Sequence, residues 1–312
     1  MRRMSRSVRF EVGSADIGLR LDQALAARVS GLSRSEARRL IDQGAVYLDR
    51  RRHKRASTLL APGQAVEVVV PDAKDAQLAA ARPKAPEAAA LTIVYEDDEI
   101  IVVEKAAGVA SQARREGDVG TLPSLVTKSL RARGVKSHVR VVHRLDQPAS
   151  GLIVLAKTPA AASTLSADFR THVPLRHYLA IVIGVPTPDE LVIDLPLDDS
   201  GKTARVDAVK GRPSLTRVRV VERGVGMALV EAVLETGRMH QVRAHLAASG
   251  FPIVGDRRYG GAAAAERFGA PRLALHATRL SLRHPRSGQR LNFESPLPSE
   301  LRALLRESRT PS

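Results

Sequence analysis

Leu19, Leu21, Leu25 and Ala26 recur at helical spacing near the start of the chain, and Ala37, Leu40 and Ile41 form the apolar side of a second helical run. Ser33 precedes that run with Glu36 three positions on, a capping box that predicts the helix start, and Gly44 predicts its end. Short strands are predicted at residues 46–48 and 66–70, separated by a turn crowded with Arg50, Arg51, Arg52, Lys54 and Arg55. Residues 17–71 therefore read as one small α+β unit, preceded by a loose basic arm over residues 1–16.

From Pro71 to Ala90 the chain turns to Ala, Pro and charge without a period, which predicts a flexible linker over residues 72–90. A larger domain, residues 91–305, opens with strands at 91–95 and 99–103 around the turn Glu96-Asp97-Asp98. Further strand-like runs at 151–156, 178–183, 217–221 and 227–234 alternate with two or three helical stretches. Repeated strand–helix–strand spacing is missing. The prediction is an α+β fold, a mixed, mostly antiparallel sheet with flanking helices, rather than a doubly wound one. Residues 306–312 are expected to form a disordered tail.

Charge narrows the partner. The chain of 312 residues carries a formal net charge of +16, with 40 Arg against 9 Lys. Guanidinium groups suit bidentate phosphate contact, so nucleic acid is favoured, with an anionic membrane surface behind it. A biased genome is the bland alternative. Residues 1–71 hold fourteen basic and seven acidic residues, a net +7. Arg34, Arg38 and Arg39 from the helix, with Arg51, Arg52 and Lys54 from the turn, are expected to present one basic face to a phosphate backbone. An ordinary helical hairpin with a solvated charged face remains the alternative. The chain contains no Cys, no apolar run long enough to cross a bilayer and no signal-like start, so a soluble, cytoplasmic monomer is expected.

Some motifs fail on inspection. Gly201-Lys202-Thr203 ends like a phosphate-binding loop, but Pro196 stands where that loop needs Gly. Gly224-Val225-Gly226 lacks its third glycine, since Leu229 occupies that position. His240 and His245 sit five residues apart, so a helix would point them to different faces, and no third metal ligand is evident.

Three segments carry candidate chemistry. In Val142-His143-Arg144-Leu145-Asp146-Gln147-Pro148-Ala149-Ser150-Gly151-Leu152, a carboxylate between a short strand and a turn can project from a sheet edge, although spacing alone favours a strand-end Asp paired with an Arg. In Arg176-His177-Tyr178, a Tyr enters a strand in a chain with only four Tyr and no Trp; it is either a stacking ring or a buried phenol. In Thr236-Gly237-Arg238-Met239-His240-Gln241-Val242-Arg243, followed by Gly255-Asp256 and Tyr259-Gly260, a strand ends in a glycine turn and a helix begins with cations. An Arg there either holds a carboxylate ionised or lies on the surface of a basic protein.

Two resemblances join these segments. Arg20-Leu21-Asp22, Ser33-Arg34-Ser35 and Gly44-Ala45-Val46-Tyr47-Leu48 resemble the S-four-like RNA-binding module. The three later segments, with Val94-Tyr95-Glu96-Asp97-Asp98-Glu99-Ile100-Ile101 and Leu275-His276-Ala277, resemble the RluA-type RNA pseudouridine synthases over nearly the whole chain. That resemblance implies isomerisation of uridine in RNA, ribosomal more than transfer RNA, without metal or cofactor. It assigns Asp146 as nucleophile, Arg144 to holding the flipped-out base, Tyr178 to stacking on uracil and Arg243 to pairing with Asp146. Arg238 is a candidate for phosphate contact, with Ile253 and Leu152 as apolar walls. The chain departs from the family at Ala149, where Thr is usual, and at Ala106, where Pro normally follows Lys105.

Overall fold

The computed structural model describes residues 6–14, 16–30, 32–70, 91–112, 120–135, 138–262 and 268–307. The linker expected over 72–90 and residues 308–312 of the expected tail lie outside them. The chain divides into two compact units, Met1–Lys84 and Ala85–Ser312.

In the first unit, helices α1 (Leu21–Arg28) and α2 (Arg34–Gln43) accompany a four-stranded antiparallel sheet. Its order is β1 (Arg6–Glu11), β4 (Ala65–Val70), β2 (Val46–Leu48), β3 (Arg51–His53). The expected capping box forms: the Ser33 backbone N–H donates to the Glu36 carboxylate at 2.8 Å, and the Glu36 N–H to Ser33 Oγ at 3.3 Å. α2 ends at Gly44 with φ 74°. Two expectations need correcting. Residues 6–11 are not a loose arm but a full strand paired with β4, because Val8 and Phe10 alternate with the basic residues and pack on the core of this unit. The basic turn shrinks to Asp49 and Arg50, at φ 48° and 64°, and Arg51 and Arg52 belong to a strand. A two-residue turn with both residues left-handed matches the twist of a hairpin, so the strands run right up to it.

The Asp22 side chain is fully buried and accepts from Nε of Arg38 at 2.6 Å, Arg34 at 3.1 Å and Arg20 at 3.2 Å. Two of the residues expected to face phosphate are thus also anchors of the fold.

The second unit is built on one ten-stranded sheet. Its path is β10 (Glu190–Asp194), β13 (Leu215–Arg223), β14 (Met227–Leu234), β9 (Leu175–Ile183), β15 (Leu275–Arg283), β8 (Ser150–Ala156), β6 (Ile100–Lys105), β5 (Thr92–Glu96). β16 (Arg290–Glu294) also pairs with β15, and β7 (Arg140–Val141) with β8; β11 (Leu197–Asp198) and β12 (Arg205–Val206) form a separate hairpin. Every pairing in the sheet is antiparallel except β15 with β8, so the mixed, mostly antiparallel prediction holds. The described residues contain four helices here, more than expected: α3 (Leu122–Ala132), α4 (Pro159–Arg170), α5 (Gln241–Ala248) and α6 (Ser299–Glu307).

Alternation assigns the layers. Ile101 and Val103 face one core with Val126 of α3, Leu246 of α5 and Leu304 of α6. Ile100 and Val102 face the other, with Leu165 and Phe169 of α4. At the parallel join, Gly151 has φ 115°, and a Cβ there would lie 2.3 Å from the Ala277 carbonyl oxygen. Only glycine fits, and this fixes where β8 begins, just past the loop that carries Asp146.

Burial raises the Asp22 carboxyl, but hydrogen bonds from Arg38, Arg34 and Arg20 outweigh it and hold the group below the ordinary carboxylate value. Stability of this kind is present above the unfolded pKa of roughly 4 and is lost as pH falls through the folded value. Asp22→Asn is therefore expected to destabilise the first unit by about 2 kcal/mol at pH 7. Urea denaturation of wild type and variant checks this, and the gap should narrow at pH 3; equal stability at pH 7 contradicts it.

Candidate active site

Asp146 sits in the loop between β7 and β8, and that loop is fastened from the end of β6. The Lys105 ammonium, 1% exposed, donates to the carbonyl oxygens of Ala149 (2.5 Å), Val109 (3.0 Å), Ala106 (3.1 Å) and Gln147 (3.2 Å). Burial brings Lys105 down to about 7, with the negative charge of Asp146 opposing. Ser111 Oγ donates to the Leu145 carbonyl at 2.7 Å and accepts the Leu145 N–H at 3.0 Å, clamping the residue before the carboxylate. His143 accepts the Val154 N–H on Nε2 at 3.1 Å and stacks on Phe169 at 4.2 Å. Burial and the Arg176 charge push its pKa down to about 3, so it stays a neutral acceptor.

The partner of Asp146 comes from α5. Arg243 Nη1 donates to Asp146 Oδ2 at 2.9 Å, while its Nε and Nη2 donate to Asp256 at 2.7 and 2.8 Å. Asp256 is fully buried and also accepts the backbone N–H groups of Arg258 and Tyr259 at 3.0 and 3.3 Å. Burial opposes the Arg243 charge, but the Asp256 hydrogen bonds and the Asp146 charge outweigh it and hold its pKa above the ordinary value. The turn before α5 is stapled by the Gln241 side chain, whose Oε1 accepts from Thr236 Oγ1 (2.8 Å) and the Arg238 N–H (2.9 Å). His240 follows at φ 55° with its Nε2 3.8 Å from Asp146 Oδ1. The Tyr259 hydroxyl accepts the Ala204 N–H at 2.9 Å and shares a hydrogen bond with His240 Nδ1 at 3.0 Å. Burial keeps His240 below its ordinary value, although Asp146 pulls the other way.

These groups open on a cavity of about 630 Å³ whose lining includes Arg144, Asp146, Tyr178, His240 and Arg243. Tyr178 is 8% exposed, its hydroxyl has no hydrogen bond among the described residues, and burial pushes its phenol upward. Arg144 is exposed and has no partner among the described residues. All four residues singled out by resemblance therefore meet at one cavity. The expected apolar walls are corrected: Leu152 and Ile253 lie in the core, 1% and 0% exposed, and Leu145, Leu234, Val242 and Leu275 line the cavity instead. Leu152 on β8 packs in the core on the α4 side of the sheet, and Ile253 bridges Val182 of β9 within the core shared with α3, α5 and α6. His245 is buried against Thr216 Oγ1 and the Leu195 carbonyl, away from His240's role.

The basic residues of the first unit form two groups. Arg34 and Arg38 meet at Asp22; Arg52 and Lys54 lie against Gly44, whose absent Cβ would be 3.0 Å from Arg52 Cδ and 3.2 Å from Lys54 Cε. Arg39 is half-buried with an unpartnered Nε, and Arg51 is exposed.

An arginine-held carboxylate in a cavity on this mixed sheet, in a chain that also carries a separate basic unit, marks an enzyme that modifies RNA. The chain belongs to the RNA pseudouridylate synthase family, which matches residues 99–248, and it carries an S4 domain at residues 19–66. It is 36% identical over 304 residues to the ribosomal large subunit pseudouridine synthase D of Nitrosomonas europaea, covering 94% of this chain and 85% of that one. It is 32% identical to the ribosomal large subunit pseudouridine synthase C of Vibrio cholerae, over 97% of this chain and 98% of that one. Among solved structures, human RNA pseudouridylate synthase domain containing 1 is similar at 25% identity, with a TM-score of 0.57 over 71% of this chain and 97% of that one.

The sequence reading gave no role to Lys105, Ser111, Asp256 or Tyr259. Asp256 was the most accessible of these, since it stands in the quoted Gly255-Asp256 motif, yet nothing in its spacing points to Arg243. Asp256→Asn removes the charge that orients Arg243 and is expected to lower kcat about 100-fold, the cost of a misplacement near 1 Å. Single-turnover kinetics with a melting curve on the same preparation checks it: a wild-type rate removes Asp256 from the positioning of the site.

Proposed function

We propose that this enzyme isomerises chosen uridines of large-subunit ribosomal RNA to pseudouridine, with Asp146 as the nucleophile. The observation that carries the reading is the Asp146–Arg243–Asp256 bridge at the wall of a cavity in which Asp146 is the one carboxylate among the described lining residues. A glycosidase would use two carboxylates; one suits a reaction in which the base leaves the sugar and returns to it. Ribosomal RNA is favoured over transfer RNA by the names of the relatives and by the S4 domain.

A stacked base cannot reach Asp146, so the uridine flips into the cavity. Arg144, exposed and without a partner among the described residues, fills the space the base leaves or holds the flipped backbone. Tyr178 offers its ring to the uracil. Asp146 attacks, the bond from N1 to ribose breaks, the base turns and bonds to ribose through C5, and Asp146 is released; C5 loses its proton and N1 gains one, so there is no net redox change. The apolar residues of the lining, Leu145, Leu234, Val242 and Leu275, limit the water that can intercept the intermediate.

Asp146→Asn is expected to abolish pseudouridine formation in ribosomal RNA while affinity stays within a few-fold, since affinity comes mostly from phosphate contacts. Nucleoside analysis of RNA after incubation checks it. Turnover by the variant removes Asp146 as nucleophile, and binding without turnover by the wild type leaves a non-catalytic RNA-binding factor.

Tyr178→Phe should keep the stacking face and lose only the hydroxyl, whereas Tyr178→Leu should lose about 1–3 kcal/mol of stacking, felt in the single-turnover rate. Melting temperature and rate are measured together. A Leu variant that melts normally and reacts at the wild-type rate takes Tyr178 out of the site.

A further inference from the structure

One wall of the cavity is cationic, and of its three arginines only Arg238 has been given a candidate role. Arg170 at the end of α4, Arg176 on β9 and Arg238 in the turn before α5 all line it. Elsewhere guanidinium groups meet carboxylates: Arg219 and Arg279 at Glu231, Arg243 at Asp256. These three meet none among the described residues. Arg176 Nη2 donates to the Thr236 carbonyl at 3.2 Å, Arg238 donates to the Pro213 carbonyl at 3.2 and 3.3 Å, and Arg170 is exposed without a partner. Neutral carbonyls do not compensate the charge, and Asp146, the only carboxylate among the described lining residues, is already held by Arg243.

Two buried nitrogens nearby have no hydrogen-bond partner: Arg176 Nε and Nδ1 of His172, the residue in the turn between α4 and β9. Buried polar groups are normally satisfied, so the unsatisfied Nε of Arg176, which lines the cavity, signals a group kept for a ligand; His172 is outside the lining but feels the charges of Arg176 and Arg238. His172 is also left-handed, with φ 59°. Burial and the charges of Arg176 and Arg238 hold its pKa below the ordinary value, which is the effect of crowded cations without a counter-ion. Arg176 itself is fixed: its guanidinium lies 6.0 Å from the Phe169 ring, and a Cβ at position 237 would stand 2.8 Å from its Nη1. The glycine of the Thr236-Gly237-Arg238 turn is what lets this Arg reach the wall.

We propose that Arg176, with Arg170 and Arg238, binds a backbone phosphate of the nucleotide flipped into the cavity. A phosphodiester supplies the missing negative charge and several acceptor oxygens, and guanidinium forks match them in pairs. Arg176 is the positioned member, and Arg170 and Arg238 close on the phosphate from the rim. Anchoring the backbone there leaves Arg144 and Tyr178 to deal with the base. This rests on the reading of the cavity as a uridine site.

The test uses the full chain with ¹³C-labelled histidine, the His172 resonance being assigned with His172→Gln. Uridine, uridine 5′-monophosphate and a five-residue oligouridylate are titrated in turn. The two phosphorylated probes should shift the His172 resonance, and uridine should not. Arg176→Gln should abolish that shift, weaken oligouridylate binding about tenfold and reduce the salt slope by about 0.7. Arg176→Lys should keep the slope. Arg238→Gln gives a second route if Arg176→Gln does not fold. A His172 resonance that stays put while that of His240 moves overturns the proposal, as does a wild-type salt slope in both glutamine variants. Pseudouridine formation by the wild type is measured separately. Turnover with an unmoved His172 overturns the phosphate site alone, and a shifted His172 without turnover overturns the proposed reaction alone.

Discussion

The bridge from Asp256 through Arg243 to Asp146 is the interaction around which the rest of the site is arranged. Arg243 is 4% exposed at its side chain, Asp256 is 0% exposed, and Asp146 retains 21%. Burying one guanidinium between two carboxylates is tolerable only because nearly every donor and acceptor in the bridge is matched. The asymmetry in exposure matters. The inner carboxylate is fixed and structural, and the outer one is left facing the cavity with a lone pair free.

Such a bridge is useful only if both ends arrive in register. The α5 end is set by the Gln241 staple and by the Tyr259 hydroxyl, which orients His240. The Asp146 end is set by Lys105, Ser111 and the hydrogen bonds of the loop on β6. Gly151 then fixes the start of β8 against β15, so the loop cannot slide by a residue without a backbone clash. The two ends come from segments 97 residues apart in sequence, and the ten-stranded sheet is the rigid body that brings them together. Rigid strands holding a loop-borne carboxylate meet the demand that a reacting atom be placed to within a fraction of an ångström.

Charge is handled differently in the two units. In the S4 unit, Arg20, Arg34 and Arg38 converge on buried Asp22, so part of the basic surface also holds the fold. In the catalytic unit, Arg144, Arg170, Arg176 and Arg238, all at one cavity, have no carboxylate partners among the described residues. Net charge alone does not distinguish these cases. An arginine that already has a counter-ion costs less to bury but offers less to a phosphate, whereas an uncompensated one is held ready for an anion.

The sequence by itself determined the local elements and the order of the chemistry. Capping at Ser33 and Glu36, the end at Gly44, the strand at 227–234 and the α+β class follow from short-range spacing, because helix and strand periods are properties of neighbouring residues. Its motifs also led to Asp146, Arg144, Tyr178 and Arg243. It misread residues 6–11, where basic composition hid an alternating strand, and it put Leu152 and Ile253 at the cavity when both are core. It had no means of pairing Asp256 with Arg243, of closing four carbonyls on Lys105, or of leaving Arg176 without a counter-ion. Those are outcomes of which strands pair and which face each residue takes. They depend on contacts between distant segments, and only the assembled sheet decides them.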